Sequence, residues 1–85
     1  MIHDAYETSD LGLAAALCCL GKSIVSLNRT DPRRVVFCFN DEKREIEAEV
    51  QRYWDGSLRL SPLSLFTHQK MLKQRIYSNQ PHHVS

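Results

Sequence analysis

The sequence predicts an α+β fold: a small sheet in the order βαββαβ followed by one more helix, built around a buried first helix, Asp10–Leu20. Three observations carry this. The segment Asp10–Leu20 (DLGLAAALCCL) is apolar on nearly every side and stands between a run of capping side chains and a glycine. The segment Arg33–Phe39 (RRVVFCF) is β-branched and aromatic, with Val35, Phe37 and Phe39 on one face and Val36 and Cys38 on the other. Two later segments, one opening at Asn40 or Asp41 and one at Ser61-Pro62, combine helix starts with apolar positions at helical spacing.

In chain order, Ile2 and Tyr6 among polar neighbours predict a short strand at His3–Glu7. Thr8, Ser9 and Asp10 offer three side-chain oxygens. Ser9 is the expected N-cap, with Asp10 adding negative charge at the positive end of the helix. Gly21 supplies the left-handed residue that ends it. Lys22–Asn28 (KSIVSLN) reads as a strand and Arg29–Pro32 (RTDP) as a turn, so that the next strand folds back as a hairpin. The second helix is expected from Asn40 or Asp41 to about Trp54, with a narrow stripe of Ile46, Val50 and Tyr53, and Asp55-Gly56 turns the chain. Ser57–Leu60 (SLRL) alternates and reads as a fourth strand. The third helix runs from Pro62 to about Tyr77, with Leu65, Phe66, Leu72 and Ile76 facing the core. This connectivity is that of the split βαβ, ferredoxin-like arrangement, in which the first two helices share one face of the sheet. The third helix is then expected to cover the other face or an edge.

At 85 residues the chain is read as one domain over residues 1–78, with a polar, flexible C-terminal tail at 79–85. Apolar content of 42% and charged content of 25% are those of a globular protein, and a net charge of +1 gives no global pull toward polyanions. The N-terminus has no basic segment followed by an apolar one, and the longest apolar run is about half a membrane span, so a cytoplasmic protein without a membrane role is expected. Three cysteines, two of them adjacent, make a poor disulfide framework and suit a reducing compartment.

The run Tyr6-Glu7-Thr8-Ser9-Asp10-Leu11, then Leu13-Ala14-Ala15, Leu17 and Leu20-Gly21, resembles the opening of a small bacterial and phage domain family designated only as a domain of unknown function. The hairpin strand Val35–Phe39, the Tyr53–Gly56 turn and the closing Lys70–Tyr77 helix extend the resemblance over Tyr6–Tyr77. It implies a small accessory protein and no particular activity.

The residues point away from catalysis. Cys18 and Cys19 diverge by about 100° on a helix, and with Cys38 they lack zinc-ligand spacing, so they are expected to pack as small hydrophobes. No cofactor or metal is expected. His3, His68, His82 and His83 form no ligand pattern. His68 needs a nucleophile beside it to act as a base, and the sequence places none. Glu45, Glu47 and Glu49 diverge along a helix and read as a solvated face.

Charge is distributed unevenly. Segments 22–40 and 57–85 carry +3 and +4, against −3 each for 1–21 and 41–56. On the last helix Lys70, Lys73 and Tyr77 share a face. A basic surface with an aromatic suits phosphate contact and base stacking. The expected function is therefore a non-enzymatic accessory domain that binds nucleic acid or a nucleoprotein complex through Arg29, Arg33, Arg34, Lys70, Lys73, Arg75 and Tyr77. The alternative is a protein–protein adaptor or inhibitor, in one form a homodimer, that uses the acidic helix with Tyr53 and Trp54. Tyr6, Phe37 and Phe39 occupy strands where RNA-recognition motifs stack bases, but a domain this small needs its large aromatics inside.

Overall fold

A computed structural model describes residues 5–78. The first residues of the expected initial strand and the expected tail at 79–85 lie outside the described residues. The elements are β1 (Ala5–Thr8), α1 (Leu11–Cys19), β2 (Ile24–Asn28), β3 (Val36–Asn40), α2 (Ile46–Asp55) and α3 (Pro62–Ser78). The fold is α+β, with an antiparallel sheet in the order β1-β3-β2. β1 and β2 therefore run parallel on either side of β3, and α1 is the crossover between them. This is the split βαβ unit the sequence predicts.

α1 is defined sharply at both ends. Asp10, not Ser9, is the N-cap: its Oδ1 accepts the Leu13 N–H at 3.0 Å, while Thr8 Oγ1 accepts the Asp10 N–H at 3.1 Å. Thr8 thus fixes the residue that caps, and Ser9 is passed over. At the other end the Gly21 N–H donates to Cys18 O and the Lys22 N–H to Leu17 O, both at 3.0 Å. That paired closure needs a left-handed residue, and Gly21 has φ +89°.

Between these caps, Leu13, Ala14, Ala15, Ala16 and Leu17 are each at most 3% exposed. Burial on consecutive positions means that α1 has neighbours all round. Leu13 and Leu17 join Phe37 and Phe39 of β3, Ile46 of α2 and Leu72 of α3 in one cluster. Gly12 and Cys19 lie where the other helices come closest. The Tyr53 hydroxyl of α2 stands 2.9 Å from where a Cβ of Gly12 would be, with Gln69 of α3 at 3.9 Å, and Ser64 and His68 of α3 touch Cys19.

The sheet shows one face to α1 and one to solvent. Tyr6 pairs with Phe39, Thr8 and Leu27 with Phe37, and Ile24 with Phe39 on the inner face. A register shift between Ile24 and Ser26 leaves Val25 outside this pattern and 59% exposed. Ala5, Glu7, Ser26, Asn28 and Asn40 on the outer face are exposed. Phe37 and Phe39 are core, 2% and 0% exposed, so they offer no stacking platform.

Three further expectations are corrected. Ser57–Leu60 is not a strand, so the order is βαββαα and the fourth strand of a ferredoxin-like sheet is absent among the described residues. The Ser57 and Leu58 N–H groups both donate to Arg52 O at 3.1 Å, closing the end of α2 instead of joining a ladder. Second, α2 begins at Ile46, five residues later than expected from Asp41. Asn40 Oδ1 accepts the Glu42 N–H, Asp41 Oδ1 accepts those of Glu45 and Ile46, and Arg44 takes φ +55°, so local side-chain bonds hold a turn where a helix was expected. Third, α3 packs on α1 and not on the outer face or an edge of the sheet. Its Leu72, Leu65 and Ile76 reach the core as expected, but Phe66 is 59% exposed under the Lys70 ammonium, which sits 5.9 Å from the ring centroid.

Ala16 is fully buried on a helix with no free side. Ala16→Leu should lower stability by about 1–3 kcal/mol through overpacking, read as a reduced urea midpoint with unchanged m-value.

Candidate nucleic-acid interface

The β2–β3 connection is a tight, internally bonded turn. The Thr30 N–H donates to Asn28 Oδ1 at 2.9 Å, the Arg33 N–H to Asp31 Oδ1 at 2.8 Å, and the Arg34 N–H to Asp31 O at 3.2 Å. Asp31 is thereby engaged with backbone. Its only approach to a guanidinium is Arg34 Nε at 4.0 Å, between two well-exposed side chains, which is worth little. Arg33 makes no ion pair with a described residue.

Arg29, at the start of the same turn, reaches across to α3. Its Nη2 donates to Ile76 O at 3.0 Å. This satisfies a carbonyl in the last turn of the helix and puts a cation at its negative end. It also ties the hairpin to α3 and opens a groove of about 380 Å³ between them. Leu11, Pro32, Val35 and Ile76 wall the groove, and Phe37 reaches it from the core. Arg29, Arg33 and Arg34 line it with Ser9, and Tyr77, 66% exposed, completes it on the α3 side. Among the described residues no carboxylate lines it.

Of the seven residues the sequence nominates for nucleic acid, the structure therefore brings four together: Arg29, Arg33, Arg34 and Tyr77. Lys70 and Lys73 are exposed and share the Tyr77 face of α3, so they extend from the groove along the helix for about 10 Å. Arg75 stands apart. It acts on the Cys18 thiol and is already engaged by another group. Tyr53 and Trp54 form a separate feature on α2, with rings edge to face at 4.9 Å. Trp54 is 64% exposed, while Tyr53 is half-buried over Gly12 and its hydroxyl pKa is raised by that burial and then by Asp10.

Sequence reasoning missed one cluster. Cys19 Sγ lies 3.4 Å from His68 Nδ1 and 3.5 Å from Ser64 Oγ. It has the composition of a nucleophilic site but not its arrangement. His68 Nδ1 is 2.9 Å from Ser64 O, one helical turn back, so Nδ1 carries its proton toward that carbonyl and has no lone pair for the thiol. Cys19 also closes the C-terminal end of α1, where the helix dipole disfavours a thiolate. The neighbouring Cys18 thiol is pushed up, chiefly by burial. The cluster packs α1 on α3. Among the described residues, no three His, Cys, Asp or Glu side chains converge as metal ligands, and no helix is long and apolar enough to cross a membrane.

A smaller hollow of about 200 Å³ surrounds Lys22 and Glu45, which pair at 2.8 Å. Cations and carboxylates alternate around it, so it presents no single charge. Comparisons with family models, curated proteins and solved structures return no match.

The Lys22–Glu45 pair makes a signed pH prediction. The bond from Lys22 holds the Glu45 carboxyl below its ordinary 4.5. A depressed carboxyl contributes stability that is full above the ordinary value and is lost as pH falls through the folded one. The stability difference between wild type and Glu45→Gln should therefore be constant near neutrality and shrink as pH drops below about 4.5, followed by urea unfolding at each pH.

Proposed function

We propose that the protein is a small, non-enzymatic accessory domain of the cytoplasm that binds nucleic acid, alone or within a nucleoprotein complex. One observation carries this reading: three arginines on a hydrogen-bonded turn and an exposed tyrosine on α3 surround one groove that, among the described residues, no carboxylate lines. Guanidinium groups supply the fork geometry that grips phosphate oxygens. Arg33 makes no ion pair with a described residue, and the Arg34–Asp31 contact is a long one between exposed side chains, which is worth little. Lys70 and Lys73 continue the same positive surface along α3. The family resemblance fits an accessory role and adds no chemistry.

Affinity for an oligonucleotide should fall on the order of 50-fold between about 50 and 200 mM salt if four cations each displace a counterion. Arg33→Glu with Arg34→Glu should weaken binding at least about tenfold and flatten that salt dependence. Fluorescence anisotropy on a labelled strand reads both. No binding of single- or double-stranded DNA or RNA at low salt contradicts the reading.

A second reading has its own observation. Trp54 is 64% exposed at the end of the acidic helix α2, beside Tyr53. Exposed tryptophan is enriched where proteins dock. In this reading the chain is an adaptor or inhibitor that also pairs with itself. Sedimentation equilibrium should then show a dimer that Trp54→Ala converts to monomer, and a wild-type monomer at high concentration counts against self-pairing.

A further inference from the structure

We infer that the groove between the β2–β3 turn and the end of α3 takes an unpaired base, so that the ligand is single-stranded nucleic acid and not duplex. The inference rests on the nucleic-acid reading above and narrows it to one class of substrate. A basic concavity can take a phosphate as well as a base, so its size and its walls decide between them. Here the arginines border a concavity of about 380 Å³, at the low end of the volumes that hold a small planar ligand.

The chemistry of the walls points the same way. Leu11, Pro32, Val35 and Ile76 are apolar, and a phosphate gains nothing from them. A heterocycle does, since its faces are apolar and its edges carry hydrogen-bonding groups. In a duplex those faces are already stacked on neighbours and cannot enter a groove. In a single strand they are free. Tyr77 stands at the groove with two-thirds of its surface exposed, so its ring is accessible to a base. Ring stacking on such a tyrosine is tolerant of sequence, because every base has a π-face.

The polar groups complete the match. Arg29 is fixed by its bond to Ile76 O at 3.0 Å, and its remaining N–H groups stay available for a base edge or a phosphate. Ser9 adds a hydroxyl that can donate or accept. Arg33 and Arg34, positioned by the Asp31 turn, are set for the phosphates that flank the inserted nucleotide. Lys73 and Lys70 lie four and seven residues back from Tyr77 on the same helix face, along which the strand would run. Apolar walls, an exposed ring and three arginines thus occur together at one place on the molecule.

The test compares three labelled probes of one sequence by fluorescence anisotropy at low salt: a 12-nucleotide single strand, its duplex, and the single strand with its bases replaced by abasic sites. The inference predicts that the base-bearing strand binds at least about tenfold more tightly than either of the others. Tyr77→Ala should cost about 5- to 100-fold on the base-bearing strand, leave the abasic strand unchanged, and leave the salt dependence unchanged, with Tyr77→Phe restoring affinity. Tyr77 is exposed, so its removal spares the fold. Equal binding of strand and duplex, or of base-bearing and abasic strands, overturns base insertion and leaves a phosphate-binding domain. Absence of binding to all three probes overturns the nucleic-acid reading with it.

Discussion

The structure depends on the burial of α1 from every side. Most helices in a domain of this size bury one stripe and leave the rest in water. Here five consecutive residues, Leu13–Leu17, are almost wholly removed from solvent, and no two-layer arrangement achieves that. The sheet covers the leucine side, where Phe37 and Phe39 wait. α3 covers the side that carries Cys19. Small residues make this possible: Gly12, Ala15, Ala16 and Cys19 recur at helical spacing and let a second helix approach closely. Because α3 is committed to α1, it is not free to cover the outer face of the sheet, where Ala5, Glu7, Ser26, Asn28 and Asn40 are exposed around Val36 and the buried Cys38.

The groove follows from the same commitment. α3 is 17 residues long, about 25 Å, and packs on α1 and the core from Ser64 to Ile76. Its last turn keeps Ile76 on the core and comes alongside the β2–β3 turn, where Arg29 Nη2 donates to Ile76 O. The bond that finishes α3 also fixes the distance between the hairpin and Tyr77. Binding chemistry is thus placed by a requirement of folding, and the arginines of the turn inherit a defined wall to work against.

Much of this was legible in the sequence. Asp10, Gly21 and the Leu/Ala run between them mark α1 to within a residue, since capping and left-handed geometry are local. β3 could be read because Val35, Phe37 and Phe39 alternate with Val36 and Cys38. The errors come where a local pattern competes with a use elsewhere. Leu58 and Leu60 alternate as a strand does, but the Ser57 and Leu58 amides are consumed by Arg52 O. Asp41 and Glu42 suit a first helical turn, yet Asn40 and Asp41 bond to backbone further on and hold a loop. Phe66 looks like core at its spacing and instead carries Lys70 on its ring. The basic residues were visible as a cluster. Which of them meet was not, because Arg29 and Tyr77 are 48 positions apart and only the packing of α3 on α1 joins them.

If α1 is the element on which the rest is assembled, its backbone should open only when the whole molecule does. Native-state hydrogen exchange on residues 5–78 tests this directly. The account predicts that the amides of Ala14–Leu17 exchange with the free energy of global unfolding and respond to urea with the global slope. The α3 amides around Leu72 should match them, and the turn at residues 29–34 should exchange faster. α1 amides that exchange by a smaller, local opening while the sheet stays protected would contradict it, and would place the core in the sheet alone.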